Sequence, residues 1–497
     1  MSILRLHTDD NVAIALQSLR QGATVNGTQV IGEVPAMHKI AVASIARGDV
    51  VMKYRQAIGA ATRDIAPGEH VHSHNCAMLH KRQASVPGHR ARATDFVEPD
   101  KRARFNGFRR NSGRVGTRNY IGIVTSVNCS ATVAKQIVAQ AERDGLAEPF
   151  DQIDGFVAIT HGTGCGMQSS GDGFELLRRT LDGYIQHANF GGVLVIGLGC
   201  EVMQLGKLSD GPGVRKLSIQ EAGGTRAAIT RGLELVGELL EHAGQFRREP
   251  CPASALTLAL QCGGSDAYSG ITANPALGVA ADILVRNGGR TILSETPEIY
   301  GAEHLLVERA RSAAVAQDLL ERVDWWRDYA ARFGDTLDSN PSPGNLAGGI
   351  TTILEKSLGA QAKSGSTNLN AVIAYAAPVT EEGFVFMDSP GFDPASVTGQ
   401  VAAGANVICF TTGRGSAFGF KPVPSLKLAT NTSVFERMNE DMDINCGTIV
   451  DRVESVADCG QRIFDHLIAV ASGQKSCSEA LGYGDNEFTP WQLGAVY

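Results

Sequence analysis

Three histidines recur at two-residue intervals in the segment GEHVHSHN, at His70, His72 and His74. Alternate residues of an extended strand point to one side, so neighbouring imidazoles are expected on one face about 6–7 Å apart. Histidine is the commonest metal-binding side chain, and two of these rings would suit Fe²⁺ or Zn²⁺. A polar strand face, open to water or to a partner surface, is the alternative interpretation.

Four cysteines each follow an apolar segment typical of a buried strand. They are Cys129 after NYIGIVTSVN, Cys165 after DGFVAITHGTG, Cys200 after GGVLVIGLG and Cys262 after LTLALQ. Ligands of open α/β sheets bind outside the carboxyl ends of the strands, so the four thiols are predicted to gather at a functional edge. Thiolates there can hold Fe²⁺ or an iron–sulfur cluster, or one can act as a base or nucleophile. Small buried cysteines that fill tight strand ends are the alternative, because the spacing matches no CxxC-type motif.

Two glycine-rich loops carry side chains suited to binding a carboxylate. The loops are QCGGSDAYSGITANPALG and NVICFTTGRGSAFG, and the nearby KLATN adds two polar residues. The candidate ligand-binding residues are Ser265, Asp266, Asn274, Arg414, Lys427 and Asn431. Arg414 lies between glycines and can grip a carboxylate through two parallel hydrogen bonds. Ordinary salt bridging is the alternative for each cation.

Two carboxylates follow a further apolar segment in LSETPEIYGAEH. Glu295 comes just after the strand-like residues, and Glu298 comes three residues later. One of them is a candidate general base or metal ligand, and the other is a candidate helix cap.

The elements that must position these residues fall into four segments. Residues 1–80 alternate short apolar stretches with Gly and Pro and predict a compact β domain. Residues 81–104 are polar and basic and predict a linker. Alternating βα units follow, which predict a first α/β domain over 105–250 and a second over 251–497. The expected fold class is α/β, with a small N-terminal β domain before a large region of mostly parallel sheets.

Composition argues against several classes of function. The 497 residues are 43% hydrophobic and 20% charged, with no apolar run near the roughly 20 residues of a membrane helix. A net charge of −7 argues against nucleic-acid binding. The start, MSILRLHTDD, lacks a secretory pattern, which predicts a cytoplasmic protein with reduced thiols. Phosphate-loop, nucleophile-elbow and HExxH motifs are absent, so nucleotide binding, serine hydrolysis and zinc proteolysis lose support.

The chain resembles the altronate/galactarate dehydratase family nearly from end to end. The matching stretches are DNVAIAL, HKIAV, KYRQAIG, GEHVHSHN, GRVGTRN, GLGCE, QCGGSDAYSGITANPALG, NPSPGN, GGITTILEKSLG, FTTGRGS and MDINCGTI. The resemblance implies a small SAF (β-clip) domain followed by a large α/β catalytic region. It also implies a hydro-lyase that removes water from a sugar acid to give a 2-keto-3-deoxy sugar acid. Fe²⁺ is the metal usually implied, and Mn²⁺ is a further option.

Within the family the motifs point two ways. GEHVHSHN resembles the altronate branch, which we take as the nearer match, whereas GIVTSVNC, CPAS and MDINCGT resemble the galactarate branch. Four residues depart from the family pattern: Met37 and Arg55 stand where glycine is frequent, Leu346 where lysine is usual, and Cys446 where alanine is usual. Leu346 removes a cation beside an expected site loop, so the reaction class is better supported than the substrate.

Dehydration of an aldonate needs three kinds of group. A base removes the C2 proton, cations or a metal stabilise the enediolate on the carboxylate, and an acid or metal assists departure of the C3 hydroxyl. The candidate acids and bases, unranked, are Lys53, Tyr54, His161 and Glu295. Arg118 and Asn119 of GRVGTRN join the substrate-binding candidates.

The metal-ligand candidates form two groups that are expected to meet as walls of one site. They are His70, His72, His74, Cys129, Cys165, Cys200 and Cys262. Three functions stay open: a sugar-acid dehydratase, a sulfo-lyase acting on a sulfonated hydroxy acid, and a non-catalytic sugar-acid or metal sensor. Sulfo-lyase relatives carry the two parts as separate chains, so their fusion here favours the dehydratase. The expected partner is a small-molecule sugar acid, with a homo-oligomer left open and no nucleic acid or membrane.

Overall fold

Three structural units follow one another along the chain. The computed structural model describes residues 2–79 and 83–497, so residues 80–82, where the predicted β domain meets the predicted linker, lie outside the described residues. The first unit is built of β-strands and turns, and each of the other two contains a parallel sheet flanked by helices. The predicted fold class, a small β domain before a large α/β region of mostly parallel sheets, is confirmed.

The first unit contains nine short strands in three antiparallel groups. They are β1 (Ile3–Leu4), β2 (Val12–Ala15), β3 (Thr24–Val25), β4 (Thr28–Gln29), β5 (Lys39–Ala41), β6 (Val50–Lys53), β7 (Gln56–Ala61), β8 (His70–Val71) and β9 (Cys76–Ala77). The sheet orders are β1-β2-β5-β8, β3-β4 and β6-β7-β9. Buried apolar residues of this unit share a cluster with Leu354 and Leu358, which docks the β domain on a helix of the third unit.

Two family departures occupy turns that favour glycine. Met37 has a φ of 69°, and Arg55 has a φ of 60° in the β6–β7 hairpin, next to Tyr54 at 59°. Positive φ at both central residues defines a tight two-residue hairpin turn, and a residue with a side chain there costs roughly 1–2 kcal/mol. The hairpin keeps this conformation although its turn contains no glycine.

Strand β8 is shorter than the histidine spacing predicts. It ends at Val71, and His72 begins a turn in which its backbone N–H donates to Asn75 Oδ1 at 2.9 Å. The prediction of one extended strand carrying His70, His72 and His74 is therefore wrong, because the asparagine offers the backbone a local turn in place of the ladder. The rings still cluster, with centroids 5.5 Å apart for His70 and His72 and 5.2 Å apart for His70 and His74.

The described part of the segment between the first and second units lies along the third unit. Backbone N–H groups of Gly88, Arg90 and Val97 donate to carbonyl oxygens of Val307, Glu308 and Arg286 at 3.1, 2.8 and 2.7 Å. A sequence without an apolar period is thus held by backbone hydrogen bonds to a neighbouring surface.

The second unit is built around a parallel sheet of order β13-β12-β14-β15. Its elements are β10 (Arg104–Arg109), β11 (Val115–Gly116), β12 (Tyr120–Thr125), α1 (Ala131–Arg143), β13 (Gly155–Ile159), α2 (Asp172–Ile185), β14 (Phe190–Gly197), β15 (Val214–Ser218), α3 (Thr225–Ala243) and β16 (Arg248–Pro252). Ile121 and Ile123 of β12 face α1 and α3, whereas Val124 faces α2, as strand alternation requires. Both faces of the sheet are covered, which explains its nearly continuous apolar strands.

The third unit contains a seven-stranded parallel sheet of order β19-β20-β18-β17-β21-β22-β23. Its elements are β17 (Thr257–Cys262), α4 (Ala273–Arg286), β18 (Arg290–Leu293), α5 (Glu303–Val307), α6 (Ala313–Arg332), α7 (Pro343–Ala347), α8 (Ile353–Gln361), β19 (Leu369–Ile373), β20 (Gly383–Met387), α9 (Asp393–Ala402), β21 (Val407–Thr412), β22 (Ser425–Ala429), α10 (Thr432–Arg437), β23 (Ile444–Asn445), α11 (Val456–Ala471) and α12 (Cys477–Ala480). No helix in the described part of the chain combines the length and the apolar character needed to cross a membrane.

A shared core joins the second and third units. One buried cluster contains Leu181 of α2 and Val195 of β14 together with Val401 of α9 and Phe410 of β21. Helices α2 and α9 approach closely because Gly183 of α2 has no side chain: a Cβ there would lie 2.3 Å from the Ala402 carbonyl oxygen. The two parallel sheets are therefore packed as one body through this helix pair.

We predict that Gly183→Ala destabilises the protein by about 1–3 kcal/mol, because the methyl group forces α2 away from the backbone of α9. Gly237→Ala is the matched control, since Gly237 also lies inside a helix but a Cβ there meets nothing within 4 Å. The control should stabilise the protein by about 0.5–1 kcal/mol through helix propensity. Urea unfolding of the full chain measures both, and equal effects of the two variants would contradict the close α2–α9 packing.

Candidate functional site

Two carboxylates and a thiol meet at the carboxyl edge of the seven-stranded sheet. Cys262 is the last residue of β17, and Glu295 and Glu298 follow β18. One ligand atom from each side chain lies within 4.8 Å of the other two, and all three residues are buried. Neighbouring parallel strands end at the same edge of a sheet, so residues far apart in sequence converge here. We call Cys262, Glu295 and Glu298 the acidic triad.

Two lysines bring positive charge to the acidic triad. Lys363 Nζ donates to Cys262 Sγ at 2.7 Å, and Lys356 Nζ donates to Glu298 Oε1 at 2.6 Å. Burial opposes both ammonium charges, but interactions with Cys262 and Glu298 outweigh it and raise the pKa of each lysine above its ordinary value. The two lysines therefore favour the ionised forms of the Cys262 thiol and the Glu298 carboxyl.

Glu295 is held in an uncommon backbone conformation. Its φ and ψ are both 69°, in the left-handed region, and such strain of about 1–3 kcal/mol clusters at functional sites. Its backbone N–H donates to Ser389 Oγ at 2.9 Å. Burial, and then the charges of Glu298 and Asp393, raise the pKa of the Glu295 carboxyl well above its usual range. Within residues 2–79 and 83–497, Glu295 Oε1 and Glu298 Oε2 have no hydrogen-bond partner.

The donor set of the acidic triad fits a divalent transition-metal ion. Fe²⁺ and neighbouring ions accept both sulfur and carboxylate ligands, and the two unpaired buried oxygens would each gain a partner from a cation. Burial raises the pKa of the Cys262 thiol, and the Lys363 ammonium counteracts this shift. An additional cation beside the sulfur would therefore favour the metal-binding thiolate.

An open cleft of about 300 Å³ is lined by Cys262 and Glu298 of the acidic triad. Its walls include Gly263 and Gly264 after β17, Asn345 of α7 and Asp393 at the start of α9. Gln261 Nε2 donates to Asp393 Oδ1 at 3.3 Å. Burial, and then the Glu298 charge, raise the pKa of Asp393 to about 6, close to neutral pH. The cleft thus combines an acid–base group with space for a small polar ligand.

Arg414 lies at the edge of this cleft. Its Cβ is 3.3 Å from the position that a Cβ would take on Gly264, which lines the cleft, and its side chain is exposed. In the described part of the chain its guanidinium forms no ion pair. The predicted carboxylate-binding arginine is thus free to bind an anionic ligand, as a glycine-framed loop allows.

Asp266 organises the loops that carry Arg414. Its carboxylate accepts hydrogen bonds from Ser269 Oγ at 3.0 Å, Thr430 Oγ1 at 2.9 Å and Asn431 Nδ2 at 3.0 Å. Burial raises the pKa of Asp266, and these hydrogen bonds oppose that shift. A Cβ on Gly413 would lie 2.2 Å from the Asp266 carboxyl carbon, so glycine is needed for this close approach. These contacts make Asp266 and Asn431 loop-positioning residues.

Ser265, Asn274 and Lys427 are also engaged within the protein. The Ser265 carbonyl accepts from Asn345 Nδ2 at 2.9 Å, and Asn274 Oδ1 accepts from Thr411 Oγ1 at 2.6 Å. Lys427 is buried, donates to the Ser416 carbonyl at 3.2 Å, and has its pKa lowered by burial. These three predicted ligand-binding residues hold the loops of the sheet edge in place.

The β domain contributes a buried charge network to the same region. Lys39 Nζ and Lys53 Nζ donate to the Glu355 carboxylate of α8 at 2.9 and 2.8 Å. Burial opposes the Glu355 charge, but the two ammonium groups outweigh it and lower its pKa to about 2. Lys53, a predicted acid or base, contributes one of the two ammonium groups of this ion network, which joins the β domain to the third unit.

Tyr54, the residue after Lys53, also contacts the third unit. Its hydroxyl oxygen lies 3.0 Å from the position that a Cβ would take on Gly270, so glycine makes room for the phenol. Burial, and then the charges of Glu355 and Asp266, raise the pKa of Tyr54 well above its usual range. The phenol is therefore a neutral donor in the loop region after β17.

Helix α8 connects the β domain with the acidic triad. Glu355 bonds the two lysines of the β domain, whereas the next residue, Lys356, bonds Glu298. Successive helix residues point about 100° apart, so adjacent residues can serve two different neighbours. Thr352 caps the helix by accepting the Glu355 N–H at 3.2 Å. The sequence analysis did not identify Glu355 or Lys356 as site residues. The pattern T-x-x-E that ends at Glu355 is typical of a helix start and does not indicate a site.

The histidine face, made of His70, His72 and His74, contacts the third unit at α7. His72 Nε2 and Leu346 O are 3.0 Å apart, and His38, which sequence reasoning missed, lies 2.9 Å from His70 between ring nitrogens. Burial, and then neighbouring positive charges, lower the pKa of His70 to about 3 and that of His72 to about 4. The His70 and His72 rings are therefore neutral at pH 7. Among the described residues, the acidic triad and not this face brings three ligand atoms together.

Three other predicted site residues lie in the second unit with structural partners. All five N–H donors of Arg118 are used, two of them by Glu479 at 2.6 and 2.7 Å and three by backbone carbonyls. Asn119 bonds the carbonyl oxygens of Gln152 and Ala243. His161 is buried, bonds the Thr125 carbonyl at 3.0 Å, and has its pKa lowered by burial to about 4. These contacts tie elements together away from the cleft.

The four strand-end cysteines divide between two sheets. Cys262 is buried in the third unit, whereas Cys129, Cys165 and Cys200 are exposed in the second. The expectation of one common edge is therefore corrected. Each cysteine does follow a strand, but the strands belong to separate sheets, and a sequence segment does not reveal which sheet it joins.

These features define a multidomain α/β enzyme whose buried polar site lies at a sheet edge. Three family models match successive parts of the chain: the altronate/galactarate dehydratase SAF domain over residues 1–79, the second domain of D-galactarate dehydratase/altronate hydrolase over 107–244, and the C-terminal domain of D-galactarate/altronate dehydratase over 253–496. The chain belongs to the altronate/galactarate dehydratase family.

Three curated proteins illustrate the similarity. Altronate dehydratase of Bacillus subtilis (strain 168) is 34% identical over 481 residues, 95% of each chain. Galactarate dehydratase (L-threo-forming) of Escherichia coli (strain K12) is 36% identical over 487 residues, 95% of this chain and 93% of the relative. The (2R)-sulfolactate sulfo-lyase subunit beta of Chromohalobacter salexigens is 32% identical over 386 residues, 76% of this chain and 95% of the relative. The family resemblance seen in the motifs is confirmed.

We predict that Glu355→Gln destabilises the protein by about 3–5 kcal/mol, because two buried lysines lose the carboxylate that compensates them. Glu234→Gln is the control: it removes a carboxylate that pairs with Arg231 at 2.6 Å on the exposed surface, where the cost is about 1 kcal/mol or less. Denaturant unfolding at pH 7 measures both.

The difference in stability between wild type and Glu355→Gln should depend on pH. The Glu355 pKa is about 2 in the folded protein against an ordinary 4.5, so its stabilising contribution is complete above pH 4.5 and is lost as the pH falls towards 2. The difference in unfolding free energy between wild type and Glu355→Gln should therefore shrink over this interval. A difference that stays constant from neutral pH down to pH 2 would contradict the ion network.

Proposed function

We propose that this protein is a sugar-acid dehydratase that removes water from an aldonate or aldarate, such as altronate or galactarate, to give a 2-keto-3-deoxy acid. Membership of the altronate/galactarate dehydratase family supports the reaction class. The altronate and galactarate relatives are similar to this chain to nearly the same extent, so the substrate is proposed as a class.

The observation that carries the proposal is the acidic triad under an open cleft with a free arginine at its rim. The groups around the cleft suit an anionic substrate. Arg414 is available to bind a carboxylate, Asp393 to accept a proton, and Lys356 and Lys363 to stabilise negative charge. Dehydration next to a carboxylate needs these functions together.

We propose Fe²⁺, with Mn²⁺ as the alternative, as the cofactor of this site. Cys262, Glu295 and Glu298 would hold the ion, which would supply Lewis acidity towards the substrate carboxylate and hydroxyl groups. The unpaired oxygens of the two carboxylates support this assignment.

The side chains around the cleft have separate proposed roles. Arg414 binds the substrate carboxylate through two N–H groups, which orients C2 towards α9. Asp393 takes the C2 proton on its carboxylate, whose pKa of about 6 leaves it ionised at neutral pH. Lys356 stabilises negative charge on the resulting enediolate. Tyr54 and the rest of the β domain close one side of the loop region and restrict water.

A product assay tests the reaction. The full chain is loaded with Fe²⁺ under anaerobic conditions and incubated with altronate, galactarate, further aldonates and aldarates, and sulfolactate. Mass spectrometry should show a product that has lost one water from at least one sugar acid. Sulfite release from sulfolactate alone would support the sulfo-lyase suggested by the 32% identical relative, and binding without turnover would support a sensor.

We predict that Arg414→Gln raises KM by 10-fold or more, because the substrate loses a charge-assisted pair worth about 1.5–3 kcal/mol. Arg231→Gln, which changes an exposed helix pair far from the cleft, is the control and should leave KM unchanged. Steady-state kinetics on the preferred acid measure the effect. A KM equal to wild type in Arg414→Gln would remove Arg414 from the substrate site.

We predict that Asp393→Asn lowers kcat by about 100-fold or more with little change in KM, because a positioned general base contributes roughly this factor. Solvent exchange of the C2 proton, followed by NMR, gives a second readout that should be lost in the variant. Exchange at the wild-type rate would assign the base to another residue.

In protein loaded with Mn²⁺, we predict that Glu298→Gln lowers the bound manganese from about one ion per chain to well below half of that, because a neutral amide replaces an anionic ligand. Atomic spectrometry after gel filtration measures the metal directly, without reliance on activity. Glu234→Gln is the control with the same chemical change at the surface. Full metal occupancy in Glu298→Gln would contradict the acidic triad as the metal site.

A further inference from the structure

Three exposed cysteines of the second unit are unused by the proposed reaction. Of the ten cysteines, Cys129, Cys165 and Cys200 are exposed, Cys477 is half-buried, and the other six are buried. Free cysteine is among the most buried residue types, and an exposed thiol is usually conserved for its reactivity or its ligands. The three exposed thiols follow β12, β13 and β14, three adjacent strands of one sheet.

The loops that carry these cysteines are in direct contact. The N–H of Asn128, next to Cys129, donates to the Thr163 carbonyl at 2.9 Å. The N–H of Met203, in the loop of Cys200, donates to the Gly164 carbonyl at 3.1 Å, and Gly164 adjoins Cys165. The Cys165 loop is therefore bonded to both of the others, and the three thiols lie around one patch of surface.

Close backbone packing and one buried carboxylate hold the three loops together. A Cβ on Gly164 would lie 2.2 Å from the Ser126 carbonyl oxygen, so glycine is needed beside Cys165. The Glu201 carboxylate, next to Cys200, accepts the Ser126 hydroxyl at 2.8 Å and the Gly199 N–H at 2.6 Å. Glu201 is buried and thereby links the end of β12 with the end of β14. The arrangement is a preformed frame and not a flexible surface.

The three sulfurs do not lie together as the ligands of a single ion would. A mononuclear site with Zn–S bonds of about 2.3 Å draws its sulfurs to within about 4 Å of one another. Among the described residues, these three thiols do not meet the 4.8 Å mutual spacing that the acidic triad meets. An iron–sulfur cluster spreads its cysteine ligands over several iron atoms and so accepts wider spacing.

We propose that Cys129, Cys165 and Cys200 bind a four-iron, four-sulfide cluster in which the fourth iron has no cysteine ligand. Gln220 Nε2 donates a hydrogen bond to Cys200 Sγ at 3.6 Å. Hydrogen bonds to the sulfurs are one way in which proteins set the reduction potential of such a cluster. This cluster site is separate from the acidic triad and does not depend on the proposed dehydration.

Anaerobic reconstitution of the full chain with Fe³⁺, sulfide and an excess of thiol, which reduces part of the iron to Fe²⁺, tests the proposal. Wild type should gain about four acid-labile sulfides per chain and a visible sulfur-to-iron absorption, with an EPR signal in one redox state. Cys129→Ser, Cys165→Ser and Cys200→Ser should each lose at least half of the sulfide. Cys477→Ser is the control for a non-buried cysteine elsewhere and should match wild type.

Two further measurements keep the outcome decisive. Cys262→Ser should retain the sulfide while losing the additional iron of the acidic triad, which separates a failure of the cluster from a failure of the proposed function. Cluster loading should protect the three exposed cysteines from iodoacetamide, mapped by mass spectrometry, in a protein with no substitution at all. Iron without labile sulfide, a single zinc ion, or unprotected thiols after loading would each overturn the cluster.

Discussion

The buried ion network of Lys39, Lys53 and Glu355 is the constraint on which the rest of the site depends. Two ammonium groups and one carboxylate are removed from water, and this arrangement is tolerable only when the three charges lie within hydrogen-bonding distance. The lysines belong to the β domain and the carboxylate to α8, so the network fixes where the β domain docks on α8. Docking also brings the Tyr54 hydroxyl against Gly270 and places His72 on α7.

Helix α8 transmits this constraint to the acidic triad. Glu355 and Lys356 are adjacent, so a helix that holds the β domain also holds Lys356 against Glu298. The charges of the triad are partly compensated by lysines, but two carboxylate oxygens remain unpaired in the described part of the chain. A buried site that its own residues do not complete is suited to a cation and an anionic ligand.

The two parallel sheets present cysteine in opposite ways. In the third unit Cys262 is buried beside Lys363, and its sulfur contributes to a mixed sulfur–oxygen set. In the second unit Cys129, Cys165 and Cys200 are exposed at loops framed by glycine and Glu201. Both arrangements follow from the same rule, that loops after parallel strands converge at the carboxyl edge of their sheet. The sequence pattern at the four strand ends is similar, but the surroundings assign different chemistry to each sheet.

The sequence by itself determined the fold class, the βα alternation, the strand-end positions of the cysteines and the family, because these depend on local periodicity and on motifs. It also marked Arg414 and Glu295, which lie next to glycine turns or strand ends. It did not identify Glu355, Lys356, Lys363 or Asp393 as site residues, since a charged residue on a helix is usually solvated. Only the tertiary structure decided that Arg118 is fully paired, that the histidines leave their strand after Val71, and that the cysteines divide between two sheets. The physical reason is that burial and pairing of charges are set by contacts between segments far apart in the sequence, which no local pattern encodes.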